Sequence, residues 1–155
     1  MINQALIQKC LDYFAEHQPS CGNYRRASRL WESSGHSVSA MLEHDDADEW
    51  RYISARNVCL TRGKRWELVR DIRDEELRCC AACLVRLSRS RRWELVRDIR
   101  DEELRYISAW DVPGLTRAKR WELVRDIQNE DWRYYAADYV PDLTDKQRAE
   151  LREKR

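Results

Sequence analysis

The chain has 155 residues, which allows one compact domain or one short solenoid and little more. Its 29 Lys+Arg and 28 Asp+Glu nearly cancel to a formal charge of +1, which argues against a dedicated nucleic-acid or anionic-membrane surface. Seven Trp and seven Tyr against four Gly and three Pro describe a chain that packs and rarely turns, which excludes wholesale disorder.

The first 45 residues read as an N-terminal helical capping region. Ile2, Leu6, Ile7, Cys10, Leu11 and Phe14 recur at helical spacing, so the pattern predicts a helix over 2–17. A Pro-Ser-Cys-Gly turn at 19–22 follows, then a short basic helix around Tyr24–Trp31 and a break at Gly35. Residues 37–44 read as a worn first helix leading into the unit at 46. The opening MINQALIQKCLDYF has no basic leader, and no stretch nears 18 uninterrupted apolar residues, so neither a secretory signal nor a membrane span is expected. With six Cys this points to reduced thiols and a cytoplasmic location.

From 46 to 155 the chain repeats itself. RWELVRDIRDEELR stands at 65–78 and, unchanged, at 92–105, and a third copy opens RWELVRDI at 120–127. Trp66, Trp93 and Trp121 set a period of 27 and then 28 residues. Three full units cover about 61–86, 88–112 and 116–141, flanked by half units 46–58 and 144–155. Each full unit reads as two helices. Thr61, Ser88, Thr116 and Thr144 are the N-caps of the first, with Thr144 and Gln147 forming a capping box. At 100° per residue Trp121, Leu123, Val124 and Ile127 share one apolar arc. The second helix starts at Asp74, Asp101 or Asn129, with acids in its first turn where the helix dipole favours them. Leu104, Tyr106, Ile107 and Trp110 are expected to face the core. The small residues Ser54/Ala55, Ala81/Ala82, Ser108/Ala109 and Ala136/Ala137 suggest a helix squeezed between neighbours. Pro113 and Pro141 stop the second helices. The last helix, with Ala149 where earlier copies have Trp, reads as a C-terminal cap.

Two helices of about eleven residues cannot bury such faces alone, so units must stack on one another. With this helix–turn–helix period and the Asp-Glu-Glu-Leu-Arg opening of the second helix, residues 46–155 resemble the tetratricopeptide- and HEAT-like α-solenoid proteins. More closely, they look like the short degenerate helical-hairpin repeats found beside bacterial signalling and nucleotide-binding domains. The period and Trp pattern differ from true tetratricopeptides, so no ligand residues carry over. The resemblance implies an all-α, right-handed α-solenoid of stacked antiparallel helix pairs with capping helices at both ends, serving as a binding scaffold.

Three groups of residues invite a chemical reading. Cys79, Cys80 and Cys83 could ligate metal or cycle as a redox pair, but they occupy the positions of Tyr106, Ile107 and Trp110, and no second C-x-x-C accompanies them. Packing is the expected role, and no cofactor is expected. Six of the seven Trp fall at registered apolar positions, which also predicts core. The third group is an arginine ladder: Arg51, Arg78, Arg105 and Arg133 recur once per unit, outside the leucine arc and roughly 10 Å apart at ordinary helix spacings. With Tyr52, Tyr106 and Tyr134 such a row would grip an acidic peptide or phosphates. Its simpler role is to pair with Asp74 and Asp101 four residues earlier. The acidic run at His44–Glu49 is expected to serve a helix N-terminus, and no catalytic constellation is visible. The expected function is a non-enzymatic protein- or peptide-binding scaffold. The alternative is a helical-repeat nucleic-acid binder using the arginines and tyrosines.

Overall fold

The computed structural model describes residues 1–17 and 22–153. Among these the chain is all-α, with eleven helices and no strand, and consecutive helices pack in pairs as in a helical-repeat array. It divides into two compact units, Met1–Leu77 and Arg78–Arg155.

The first unit holds α1 (Gln4–His17), α2 (Gly22–Ser33), α3 (Val38–Glu43), α4 (Ala47–Asn57) and α5 (Arg62–Val69). The stripe expected in α1 is buried: Leu6, Ile7, Cys10, Leu11 and Phe14 all face inwards. Its Cys10 thiol lies against the Ser54 hydroxyl of α4. Of the expected turn at 19–22, only Gly22 lies within the described residues, where it opens α2. The break at Gly35 is a left-handed pair, φ +62° at Gly35 and +60° at His36, after which Ser37 caps α3. Trp31, Met41, Trp50, Val58 and Leu68 complete this core.

The second unit takes α6 (Glu75–Leu84) from Arg78 on, with α7 (Arg89–Val96), α8 (Glu102–Asp111), α9 (Arg117–Val124), α10 (Glu130–Tyr139) and α11 (Asp145–Glu153). Here α6 pairs with α7, α8 with α9 and α10 with α11, while α8 and α10 lie side by side. The caps read from the sequence form. Ser88 and Thr116 accept the amides of Arg91 and Lys119, Asp101 and Asn129 those of Leu104 and Trp132, and Thr144 and Gln147 cap each other. In the first unit Thr61 does the same for Lys64, and Asp74 for Leu77.

The first helices are shorter than the sequence suggests, eight residues rather than about eleven. The reason is a tight turn at their ends. The amides of Ile72, Ile99 and Ile127 each donate three residues back, to Val69, Val96 and Val124, rather than four. The turn buries those isoleucines and leaves the preceding leucine carbonyl unclaimed by the helix. Behind the second helices, Ser54, Ala55, Ala81, Ala82, Ser108, Ala109, Ala136 and Ala137 are sealed from solvent or nearly so. Only small side chains admit helices this close on both sides.

Candidate functional site

The arginine ladder is not the open row expected from the sequence. Arg51 and Arg133 are buried, and Arg78 and Arg105 are half-buried. Arg105 turns from its own helix and donates Nε to the Leu123 carbonyl at 2.8 Å, and Arg51 donates Nη1 to the Leu68 carbonyl at 3.4 Å. These are the carbonyls freed by the tight turns of α9 and α5. Asp71 stands 3.8 Å from Arg51. Burial lowers the Arg51 pKa, and Asp71 partly offsets it. The pairing with the preceding cap is also not what Arg105 adopts: its guanidinium goes to the Leu123 carbonyl, while Asp101 accepts the Leu104 amide.

A second arginine series, not singled out in the sequence, performs the matching task at the other helix ends. Arg65, Arg92, Arg120 and Arg148 each donate Nη1 to the first carbonyl left over at the end of the preceding second helix: Ala55, Ala82, Ala109 and Ala137. Arg120 also reaches the carbonyls of Trp110 and Val112, at 3.3 and 3.4 Å, and Arg148 reaches Val140 at 3.0 Å. A cation at a helix C-terminus satisfies orphan acceptors and meets the negative end of the dipole. The signal was present: the tail TDKQRAELREK loses the repeat's Trp but keeps this Arg.

Carboxylates do the reciprocal work at helix starts. Asp48 Oδ2 accepts the amides of Arg73 and Asp74 at 2.8 and 3.0 Å, and Glu102 accepts those of Gln128 and Asn129, both at 2.8 Å. So the acidic run at 44–49 does serve a helix start, but through Asp48 reaching the next turn. Asp46, at the N-cap itself, makes no side-chain cap bond.

Of the cysteine cluster, Cys79 is buried and receives the Ser108 hydroxyl at 3.3 Å, while Cys80 and Cys83 are half-buried. The Cys83 thiol is pushed up, first by its hydrogen bond with Cys79 and then by burial. A thiolate nucleophile or ligand needs the opposite shift. Among the described residues no three His, Cys, Asp or Glu side chains converge as a metal would require.

The tryptophan expectation needs one correction. Trp50 is buried and Trp66, Trp93, Trp121 and Trp132 are half-buried, but Trp110 is 50% exposed. Since the small-residue side of α8 takes the packed position, Trp110 is turned to solvent. There it joins an aromatic group on α8 and α10. The buried Tyr106 ring stacks on Trp110 at 6.2 Å and on Trp132 at 5.6 Å, and lies 6.0 Å from Tyr135. Trp132 and Tyr135 are 5.6 Å apart, and Tyr135 and Tyr139 are 6.2 Å apart. Tyr134, Tyr135 and Tyr139 are exposed, Tyr139 to 58%. Burial, followed by the neighbouring Tyr139 and Tyr135, raises the Tyr106 pKa. Of the expected tyrosines, then, Tyr106 anchors this surface and Tyr134 is exposed on α10, while Tyr52 is half-buried in the first unit. No family model matches the chain, and no curated protein or solved structure matches it.

Trp110 was missed because an aromatic residue in the repeat register reads as core, and Tyr135 and Tyr139 were not singled out. The discriminating signal was variation between copies. Trp110 stands where other units have Arg56, Cys83 and Asp138, and Tyr139 where they have Asn57, Leu84 and Asp111. Packed positions do not tolerate that range.

Proposed function

We propose that the chain is a non-enzymatic interaction scaffold, on the plan of the tetratricopeptide- and HEAT-like helical repeats, that binds a protein or peptide across the outer faces of its second helices. The observation that carries the reading is the exposed aromatic surface of α8 and α10, where Trp110 and Tyr135 rest on the buried Tyr106 and Tyr139 on Tyr135. Rigid rings held by their neighbours lose little freedom on binding, and Trp and Tyr dominate the energetics of protein interfaces. Stacking of nucleic-acid bases is the less favoured use, since the exposed non-aromatic side chains of α8 and α10 are all acidic. The five described cysteines are free, which supports a cytoplasmic setting within the same proposal. Among the described residues no helix is long and apolar enough to cross a membrane.

The test is affinity capture from native lysate with wild type, with Trp110→Ala/Tyr139→Ala, and with the control Glu94→Ala/Arg97→Ala. Partners retained by wild type and control but lost by the aromatic variant are expected. The same partner set in all three would remove this face as the site.

A further inference from the structure

We propose that the aromatic face of α8 and α10 docks a basic segment of its partner, presenting arginine or lysine side chains. This rests on the scaffold reading above and gives the scaffold's partner its charge, opposite to the acidic peptide that the sequence alone suggests.

The charge follows from what the two helices expose. Every exposed side chain on α8 and α10 is either aromatic or acidic. Glu103 and Trp110 lie seven residues apart, hence at one azimuth of α8, and Asp131 and Asp138 do the same on α10 beside Tyr134 and Tyr135. The basic residues of these helices, Arg105 and Arg133, are turned inwards, Arg105 to the Leu123 carbonyl. Asp138 is already taken by Arg152 at 2.5 Å, but among the described residues no ion pair engages Glu103 or Asp131.

A ring face flanked by carboxylates suits a cation twice over, since the π-quadrupole attracts it and the acids neutralise it through hydrogen bonds. Elsewhere the unit makes such a contact internally: Lys119 Nζ sits 5.2 Å from the centre of the Trp93 ring, between first helices. No cation of the described residues covers Trp110, Tyr135 or Tyr139. An acidic peptide would meet like charge at Glu103 and Asp131. A purely apolar partner would cover the rings but strip water from both carboxylates without replacing it.

The experiment uses the full chain and three fluorescein-labelled peptides: an Arg-Gly-Gly repeat, the same peptide with citrulline for arginine, and a Glu-Gly-Gly repeat. Anisotropy titrations are run on wild type, Trp110→Ala/Tyr139→Ala and Glu103→Lys/Asp131→Lys, each first checked for wild-type helicity by circular dichroism. The arginine peptide should bind wild type, more weakly as salt rises, and about tenfold more tightly than the citrulline peptide. Each double variant should lose about tenfold for the arginine peptide. Equal binding of arginine and citrulline peptides, preference for the glutamate peptide, or affinity unchanged in both variants overturns the basic partner. If the citrulline or glutamate peptide binds and the aromatic variant abolishes it, the scaffold reading stands while the charge assignment falls. Sedimentation velocity covers the remaining occupant. Self-association of wild type that Trp110→Ala/Tyr139→Ala removes would assign the face to a second copy and overturn the proposal.

Discussion

Arg120 shows how a single charged side chain can be structural. It is buried, and it closes the end of α8 by donating to three carbonyls. Burial lowers its pKa and Asp142, 3.9 Å away, acts in the other direction. Arg120→Leu should leave those acceptors without donors and cost about 2–3 kcal/mol in urea unfolding. Arg97→Ala, which removes only an exposed pair with Asp98, should change stability by less than about 0.5 kcal/mol. Cys10 offers a second test. Burial pushes its thiol from 9.0 up to about 11, the Ser54 hydroxyl acting in the opposite sense. Below pH 9 the thiol is neutral in both states. Above it the unfolded chain gives up its proton first, so the unfolded state is favoured as pH rises from 9 towards about 11. Unfolding followed between pH 8 and 11 should show a steeper decline for wild type than for Cys10→Ala, whose lower starting stability reflects the lost packing alone.

The element of this fold is a short helix whose ends are closed by its neighbours. Eight- and ten-residue helices leave most of their backbone groups at an end, and in water helices this short are marginal. The repeat supplies a hydroxyl or Asx cap at the start, an arginine from another helix at the finish, and a carboxylate that holds the next loop. Glu102 performs the last task for the amides of Gln128 and Asn129. Glu102→Ala should cost about 1–3 kcal/mol, whereas Glu122→Ala, exposed on α9, should be close to neutral. Thr116→Ala should cost about 1 kcal/mol through its lost cap to Lys119. Chemical denaturation of the three variants in parallel checks the order. The caps were legible because the side chain and the amide it serves lie three residues apart. The arginine contacts were not, since Arg105 meets a carbonyl 18 residues on and Arg120 one 11 residues back. Those partners exist only once a turn has freed them.

At the scale of the molecule the repeat is a unit of construction. The segments 65–78 and 92–105 are identical, so removal of residues 78–104 joins Leu77 to Arg105 and restores the local sequence Leu-Arg with one period of 27 residues fewer. The shortened chain should keep wild-type helicity per residue and unfold cooperatively at lower denaturant. A deletion of half a period, residues 78–91, joins a second helix to the wrong partner and should broaden or abolish the transition. Circular dichroism against urea distinguishes the two. The same modularity explains why the exposed aromatic face belongs to α8 and α10: there the variable positions carry Trp110 and Tyr139, while the constant positions go to packing.

By itself the sequence determined the helical class, the period, the helix starts and the small-residue side of the second helices. These depend on side chains acting on their own turn, or on sizes that recur at a fixed spacing. Tertiary structure alone decided where the long side chains go. An arginine can point to solvent, to a carboxylate on its own helix or to a carbonyl on another, and only the packed arrangement creates the acceptor that wins. Trp110 and its neighbours were settled in the same way. A helix has room for one fully enclosed side, and Ser108 and Ala109 let the neighbouring helices come close enough to claim it.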